Sequence, residues 1–207
     1  SVTLLISTLY CLDRGVHLIV QYVTRNSAPR LVYETMLTGT FTRTRISNMF
    51  KGSGSFHSVE PDVYGCLIVD EAHRLNEKYG MFSHLGENQI KEIIAASKCS
   101  VFFIDEDQKV TLKDIGNKDE IRAWAKKAKA RVTEQKLESQ FRCNGSDGYL
   151  AWLDNTLQIR DTANEILNIN DYDFRIVDSP AALHNLIREK NKVKNKARVV
   201  AGYCWDW

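Results

Sequence analysis

The sequence predicts an α/β fold, a parallel sheet flanked by helices. Three observations carry that prediction. Short apolar runs at residues 18–23, 66–69 and 100–104 read as strands buried on both faces. Helical stretches alternate with them at the spacing of βαβ units, which implies right-handed crossovers. Two of the runs end in acids, Asp70-Glu71 and Asp105-Glu106-Asp107. Ligands of open α/β sheets bind at that carboxyl edge.

The elements follow in order. Leu5, Leu9 and Leu12, widened by Val2, Ile6 and Tyr10, give residues 2–13 helical spacing, and Gly15 fits a stop. Leu18 to Val23 is a strand. The polar loop 24–30 leads into a helix that holds Pro29 in its first turn and ends near Gly39. Residues 40–50 are polar and aromatic, and Lys51-Gly52-Ser53-Gly54-Ser55 is an ordinary loop. After the Asp70 strand, 72–77 is short helix or irregular, and 79–87 is loop. Asn88 to Ser97 is a helix with Ile90, Ile93 and Ile94 on one face. A strand at 100–104 is followed by a charged helix at 118–130 and a short strand at 131–137. Beyond the turn-rich residues 143–148, helices are expected at 149–159 and from Ser179-Pro180, with strands at 174–177 and 199–203.

Composition narrows the class. The 207 residues are 43% hydrophobic and 26% charged, enough for a sizeable core. A formal net charge of +2 gives no global case for nucleic acid, so any basic surface is local. Arg43, Arg45 and Lys51 are the best local cluster, with a solvated face as the equal alternative. Five cysteines in no CxxC spacing read as reduced residues of a cytoplasmic protein, with Cys66 and Cys99 in the core. No run approaches the roughly 18 apolar residues of a membrane span. The missing initiator Met, and the stop at Cys204-Trp205-Asp206-Trp207 just after an expected strand, predict a chain cut at both ends.

Asp70-Glu71 is the chemical centre of the sequence. An acid at a strand's end can hold a Mg²⁺ that bridges nucleotide phosphates, and a second can deprotonate an attacking water. This is the Walker B logic of a nucleotide triphosphatase. The alternative is a pair of acids capping the helix that follows. Asp105 to Gln108 repeats the strand-then-acid pattern and adds an amide able to touch a terminal phosphate. Arg142, in Gln140-Phe141-Arg142, offers the bidentate fork that suits a γ-phosphate.

In this order the segments resemble superfamily 1 helicase motifs: Thr24-Arg25-Asn26, then Asp70-Glu71-Ala72-His73, then Asp105 to Gln108, then Gln140-Phe141-Arg142. The longer phrases DEAHRLNEK, LGENQIKEII, FFIDEDQ, SQFRCNGSDGYLAWLD and AGYCWDW are similar to a bacterial ATPase family of unknown function related to Schlafen group 3 helicase-like domains. The resemblance covers essentially the whole chain. It implies a RecA-like P-loop NTPase domain over residues 1–142 and the beginning of a second over 143–207. It also implies ATP and Mg²⁺ as cofactors and single- or double-stranded DNA or RNA as partner.

By that resemblance Asp70 holds Mg²⁺ and Glu71 activates water. Asp105 and Gln108 lie at the nucleotide, Gln108 couples the γ-phosphate to the nucleic-acid groove, and Arg142 contacts the γ-phosphate. Thr24, Arg25 and Asn26 lie near the nucleic-acid backbone, and His73 is a coupling residue. No GxxxxGK(S/T) loop occurs, and Ser1 stands where its last residue, a Mg²⁺-ligating hydroxyl, would fall. Ile104 occupies a position where many relatives of this superfamily have Gly. The expected activity is ATP-driven translocation or remodelling of nucleic acid, with the remainder of the parent protein supplying the phosphate loop. The chain alone is expected to hydrolyse ATP poorly or not at all. Two other readings are a non-catalytic RecA-like module that binds nucleic acid or a protein partner, and a phosphoacceptor domain, which the element order disfavours.

Overall fold

The computed structural model describes residues 19–80, 85–109, 111–136, 147–168 and 172–200. Four strands, β1 (Val20–Thr24), β2 (Phe50–Lys51), β3 (Cys66–Asp70) and β4 (Ser100–Phe102), form one sheet in the order β2-β1-β3-β4. Every pairing is parallel, as the apolar runs predict. β1 runs beside β3 from Val20 opposite Cys66 to Thr24 opposite Asp70, so both strands end at one level.

Four helices flank the sheet: α1 (Ser27–Leu37), α2 (Arg43–Met49), α3 (Gln89–Ala96) and α4 (Lys118–Lys127). Each begins on a side chain that takes an otherwise unpaired amide. Asn26 caps α1, Thr42 caps α2, Asn88 caps α3 and Asn117 caps α4. Such a cap is worth about 1 kcal/mol. Asn88 also donates its amide to Glu120 Oε1 at 3.1 Å, which ties α3 to α4.

Strand alternation sorts the sheet's two faces. Val23, Leu67 and Val69 pack with Ile90, Ile93 and Ala96 of α3, and Phe56 and Leu75 complete this buried core. Tyr22 and Ile68 alternate to the opposite face. There Tyr22 meets Tyr33 of α1 and Phe50 of β2 edge-on, at 5.8 and 5.9 Å.

The chain divides into two units, Ser1–Gln135 and Lys136–Trp207. The described part of the second holds α5 (Asp147–Thr156) and α6 (Pro180–Lys194). Ser179 Oγ accepts from Ala182 N at 3.1 Å and Pro180 opens α6, as the Ser-Pro pair predicts. Within this unit Tyr149 stacks on Tyr172 at 3.9 Å, and Trp152 meets Phe174 at 5.1 Å.

Several expectations need correction. Residues 131–136, 174–177 and 199–200 are not strands. Their β-propensity finds no neighbour to pair with among the described residues, and propensity without pairing does not make a strand. Ile176 is largely exposed. Cys99 is exposed and Cys66 half-buried, so neither belongs to the core. α2 and β2 fall in the stretch read only as polar and aromatic. The helix expected at 2–13, residues 143–146 of the turn-rich boundary, residues 201–203, and Cys11, Cys143 and Cys204 lie outside the described residues, while Asp147 and Gly148 already belong to α5.

Candidate functional site

β3 delivers Asp70 to the carboxyl edge of the sheet, and two donors hold its carboxylate there. The Glu71 amide donates to Oδ1 at 2.9 Å, and the Tyr22 hydroxyl donates to Oδ2 in a short bond. The register explains this reach. Tyr22 lies opposite Ile68, and Ile68 and Asp70 share one face of β3, so the ring points along that face to the strand's end. Burial first, and then the bond to Asp70, push the Tyr22 phenol well above its ordinary range.

Glu71 adopts φ 50°, ψ 43°, the left-handed region that L-residues avoid at roughly 1–2 kcal/mol. The turn lets the chain leave the sheet into a short 3₁₀ segment, Ala72–Arg74, whose Arg74 amide donates to Glu71 O at 2.9 Å. Strain of this kind concentrates at functional sites.

The exits of β3 and β4 are stitched together. The Ala72 amide donates to Phe103 O at 2.9 Å, and the Asp105 amide donates to Nδ1 of buried His73 at 3.3 Å. Gly116 lies against the same turn, where a Cβ would fall 1.8 Å from Ala72 O. Only a residue without a side chain fits there.

Beside Glu71 opens a polar cleft of about 330 Å³ lined by Arg25, Asn26, Ser27, Glu71 and Arg74. Its arginines are held from below. Arg25 Nη1 donates to Arg74 O at 2.9 Å, Asn76 Oδ1 at 3.0 Å and Asp114 Oδ1 at 2.8 Å. The Asp114 side chain is fully buried, and its Oδ2 lies 3.4 Å from Arg74 Nε in an ion pair without hydrogen-bond alignment. The Thr111 amide donates to the same oxygen at 3.0 Å.

The predicted site residues therefore fall into distinct settings. Asp70, Glu71, His73 and Asp105 are joined by direct bonds or chain adjacency. Gln108 turns its amide onto Asp105 Oδ2 at 2.7 Å, and both are exposed. Thr24 is buried, with its hydroxyl accepting from the Asn26 amide at 3.3 Å, and Asn26 caps α1. Arg43 and Arg45 are exposed on α2, and the Arg45 guanidinium lies 4.6 Å over the Phe41 ring. Ser1 and Arg142 lie outside the described residues.

Sequence reasoning missed Tyr22, Asp114 and Gly116. Each acts on a partner distant in sequence, and no local pattern marks it.

Asp70 suits a hard cation. Mg²⁺ at nucleotide sites takes one or two carboxylates and fills its shell with phosphate and water. Among the described residues no group of three or more His, Cys, Asp or Glu forms an all-protein cage. A single clamped carboxylate fits the Mg²⁺ case.

The described part of the first unit is thus an α/β domain, a parallel sheet whose β3 ends in Asp70-Glu71 beside an arginine-lined cleft. The family described as Schlafen group 3, DNA/RNA helicase domain matches residues 2–207, and the chain belongs to that family. The chain is also 26% identical over 172 residues to the uncharacterized protein YPL245W of Saccharomyces cerevisiae. That match covers 68% of this chain and 35% of the yeast protein, so the chain spans about a third of its curated relative. No solved structure matches. Among the described residues no helix is long and apolar enough to cross a membrane.

Proposed function

We propose that the protein is a helicase-like ATPase acting on DNA or RNA, in which this chain supplies a RecA-like domain and the opening of a second. One observation carries the reading. Asp70 is clamped at the carboxyl edge, and Glu71 follows it in a strained turn beside a cleft lined by Arg25 and Arg74. Membership of a DNA/RNA helicase domain family supports it.

In this reading Asp70 holds Mg²⁺, together with the Ser1 hydroxyl. The metal, when bound, neutralises charge on the β- and γ-phosphates of ATP. Glu71 orients the attacking water and takes its proton. Arg142 stabilises charge on the γ-phosphate, as a guanidinium fork can. Asp105 and Gln108 sense the nucleotide and pass its state through the bonded exits of β3 and β4. Arg43 and Arg45, with Phe41 beneath Arg45, meet the phosphate backbone of the nucleic acid. The setting is a reduced, cytoplasmic one.

The test is ATP turnover by the full-length protein with and without single-stranded DNA and RNA. Stimulation by one of them, with loss of stimulation in Arg43→Ala/Arg45→Ala, is the expected result. Turnover indifferent to every nucleic acid would count against a motor. A second reading, a non-catalytic nucleic-acid-binding module, draws on the same exposed arginines and requires salt-dependent binding without ATP hydrolysis.

A further inference from the structure

The Tyr22 hydroxyl reaches Asp70 Oδ2 from the neighbouring strand β1. We infer that Tyr22 is a positioning residue: its hydroxyl fixes the Asp70 carboxylate in the orientation that takes a divalent cation. This rests on the reading of Asp70 as the Mg²⁺ ligand.

The argument begins with the carboxylate. An aspartate at the end of a strand is free to turn about two side-chain bonds. Here both oxygens are engaged, Oδ1 by the Glu71 amide and Oδ2 by Tyr22. An ionised carboxylate offers about four lone-pair sites, so two donors leave about half of them open to a cation. The group is thus held without being saturated.

The ring that delivers the hydroxyl is itself fixed. Tyr22 is 9% exposed and sits edge-on to both Tyr33 and Phe50, which stack on each other at 5.0 Å. The platform joins α1, β1 and β2, so three elements bear on one carboxylate. Tyr22 therefore does for Asp70 what outer-shell partners do for metal ligands generally, whose loss weakens metal affinity about 10–100-fold.

A bond that merely stitches β1 to β3 would make a different prediction. Its loss would lower stability and leave cation affinity unchanged. The two roles separate in a binding measurement.

The experiment measures Mn²⁺ binding to the full-length protein, with a non-hydrolysable ATP analogue present, from the signal of free Mn²⁺ in electron paramagnetic resonance. Tyr22→Phe is expected to raise the Kd about 10–100-fold. Tyr33→Phe, in the same aromatic platform, is expected to stay within about twofold of the wild type, and Asp70→Asn to lose the site. Wild-type affinity in Tyr22→Phe, with the site lost in Asp70→Asn, overturns the positioning role alone. Wild-type affinity in Asp70→Asn overturns the reading of Asp70, and the inference with it.

Should Tyr22→Phe fail to fold, Tyr22→3-fluorotyrosine keeps the hydroxyl and supplies a ¹⁹F probe. Its resonance is expected to shift on Mg²⁺ addition, and not in the Asp70→Asn background. No shift in the otherwise wild-type protein overturns the proposal.

Discussion

Gly116 lies so close to the Ala72 carbonyl that a Cβ would fall 1.8 Å from the oxygen. The contact is backbone against backbone, so no rotamer change relieves it. It presses the loop before α4 onto the turn that carries Glu71 and His73. Gly116→Ala is expected to destabilise the protein by about 1–3 kcal/mol, the range of overpacked sites. Urea unfolding checks this, and an unchanged midpoint would contradict the contact.

Glu71 makes the opposite prediction. Its left-handed backbone costs roughly 1–2 kcal/mol, part of which glycine recovers against its own entropy cost of about 0.5–1 kcal/mol. Glu71→Gly is expected to stabilise the fold by up to about 1 kcal/mol while removing the proposed general base. Thermal melts of Glu71→Gly beside Glu71→Gln separate backbone from side chain. A Glu71→Gly variant less stable than Glu71→Gln would refute the strain.

Asp114 neutralises two arginines from a fully buried position. Asp114→Asn leaves both without their counter-charge. Removing one partner of a buried ion pair costs about 3–5 kcal/mol. Because Arg25 and Arg74 keep 37% and 30% of their side chains exposed, the low end, roughly 3 kcal/mol, is expected. A double-mutant cycle of Arg25→Met with Asp114→Asn measures the coupling, and additivity would show that the pair does not interact.

Tyr22 and Tyr79 predict the alkaline limb of stability. Both phenols are raised above the ordinary value near 10, first by burial and then by hydrogen bonds to Asp70 and Glu92. Above that pH the unfolded chain loses phenolic protons that the folded chain keeps. Their contribution is complete below about pH 10 and declines as pH rises beyond it. Tyr22→Phe/Tyr79→Phe is expected to flatten the fall in stability between about pH 10 and 11. Denaturant midpoints across that range decide it, and an unchanged slope would count against both shifts.

These residues also show what a sequence reveals and what it hides. β3 was legible because four apolar residues run into two acids, and α3 because isoleucines recur on one face. The start of α6 was legible because Ser179-Pro180 is a local signal. α2 was not, since its seven residues bury only Ile46 and a single apolar contact makes no periodicity. The strand expected at 131–137, over its described residues 131–136, and the one at 174–177 failed for the converse reason. A strand depends on a partner elsewhere in the chain, and local composition cannot supply it. The acid pair could be named from its neighbours, but its support could not. Tyr22 stands 48 residues from Asp70 and Arg25 stands 89 from Asp114, and only the fold joins them.

Asp70 and Glu71 are proposed as the hydrolytic half of an ATP site. The most direct measurement is Mg²⁺-dependent ATP turnover by the full-length protein beside Glu71→Gln, with nucleotide affinity measured on both. Turnover is expected to fall about 10²–10⁴-fold, the usual contribution of a general base, while ATP affinity holds. Undiminished turnover in Glu71→Gln would contradict it.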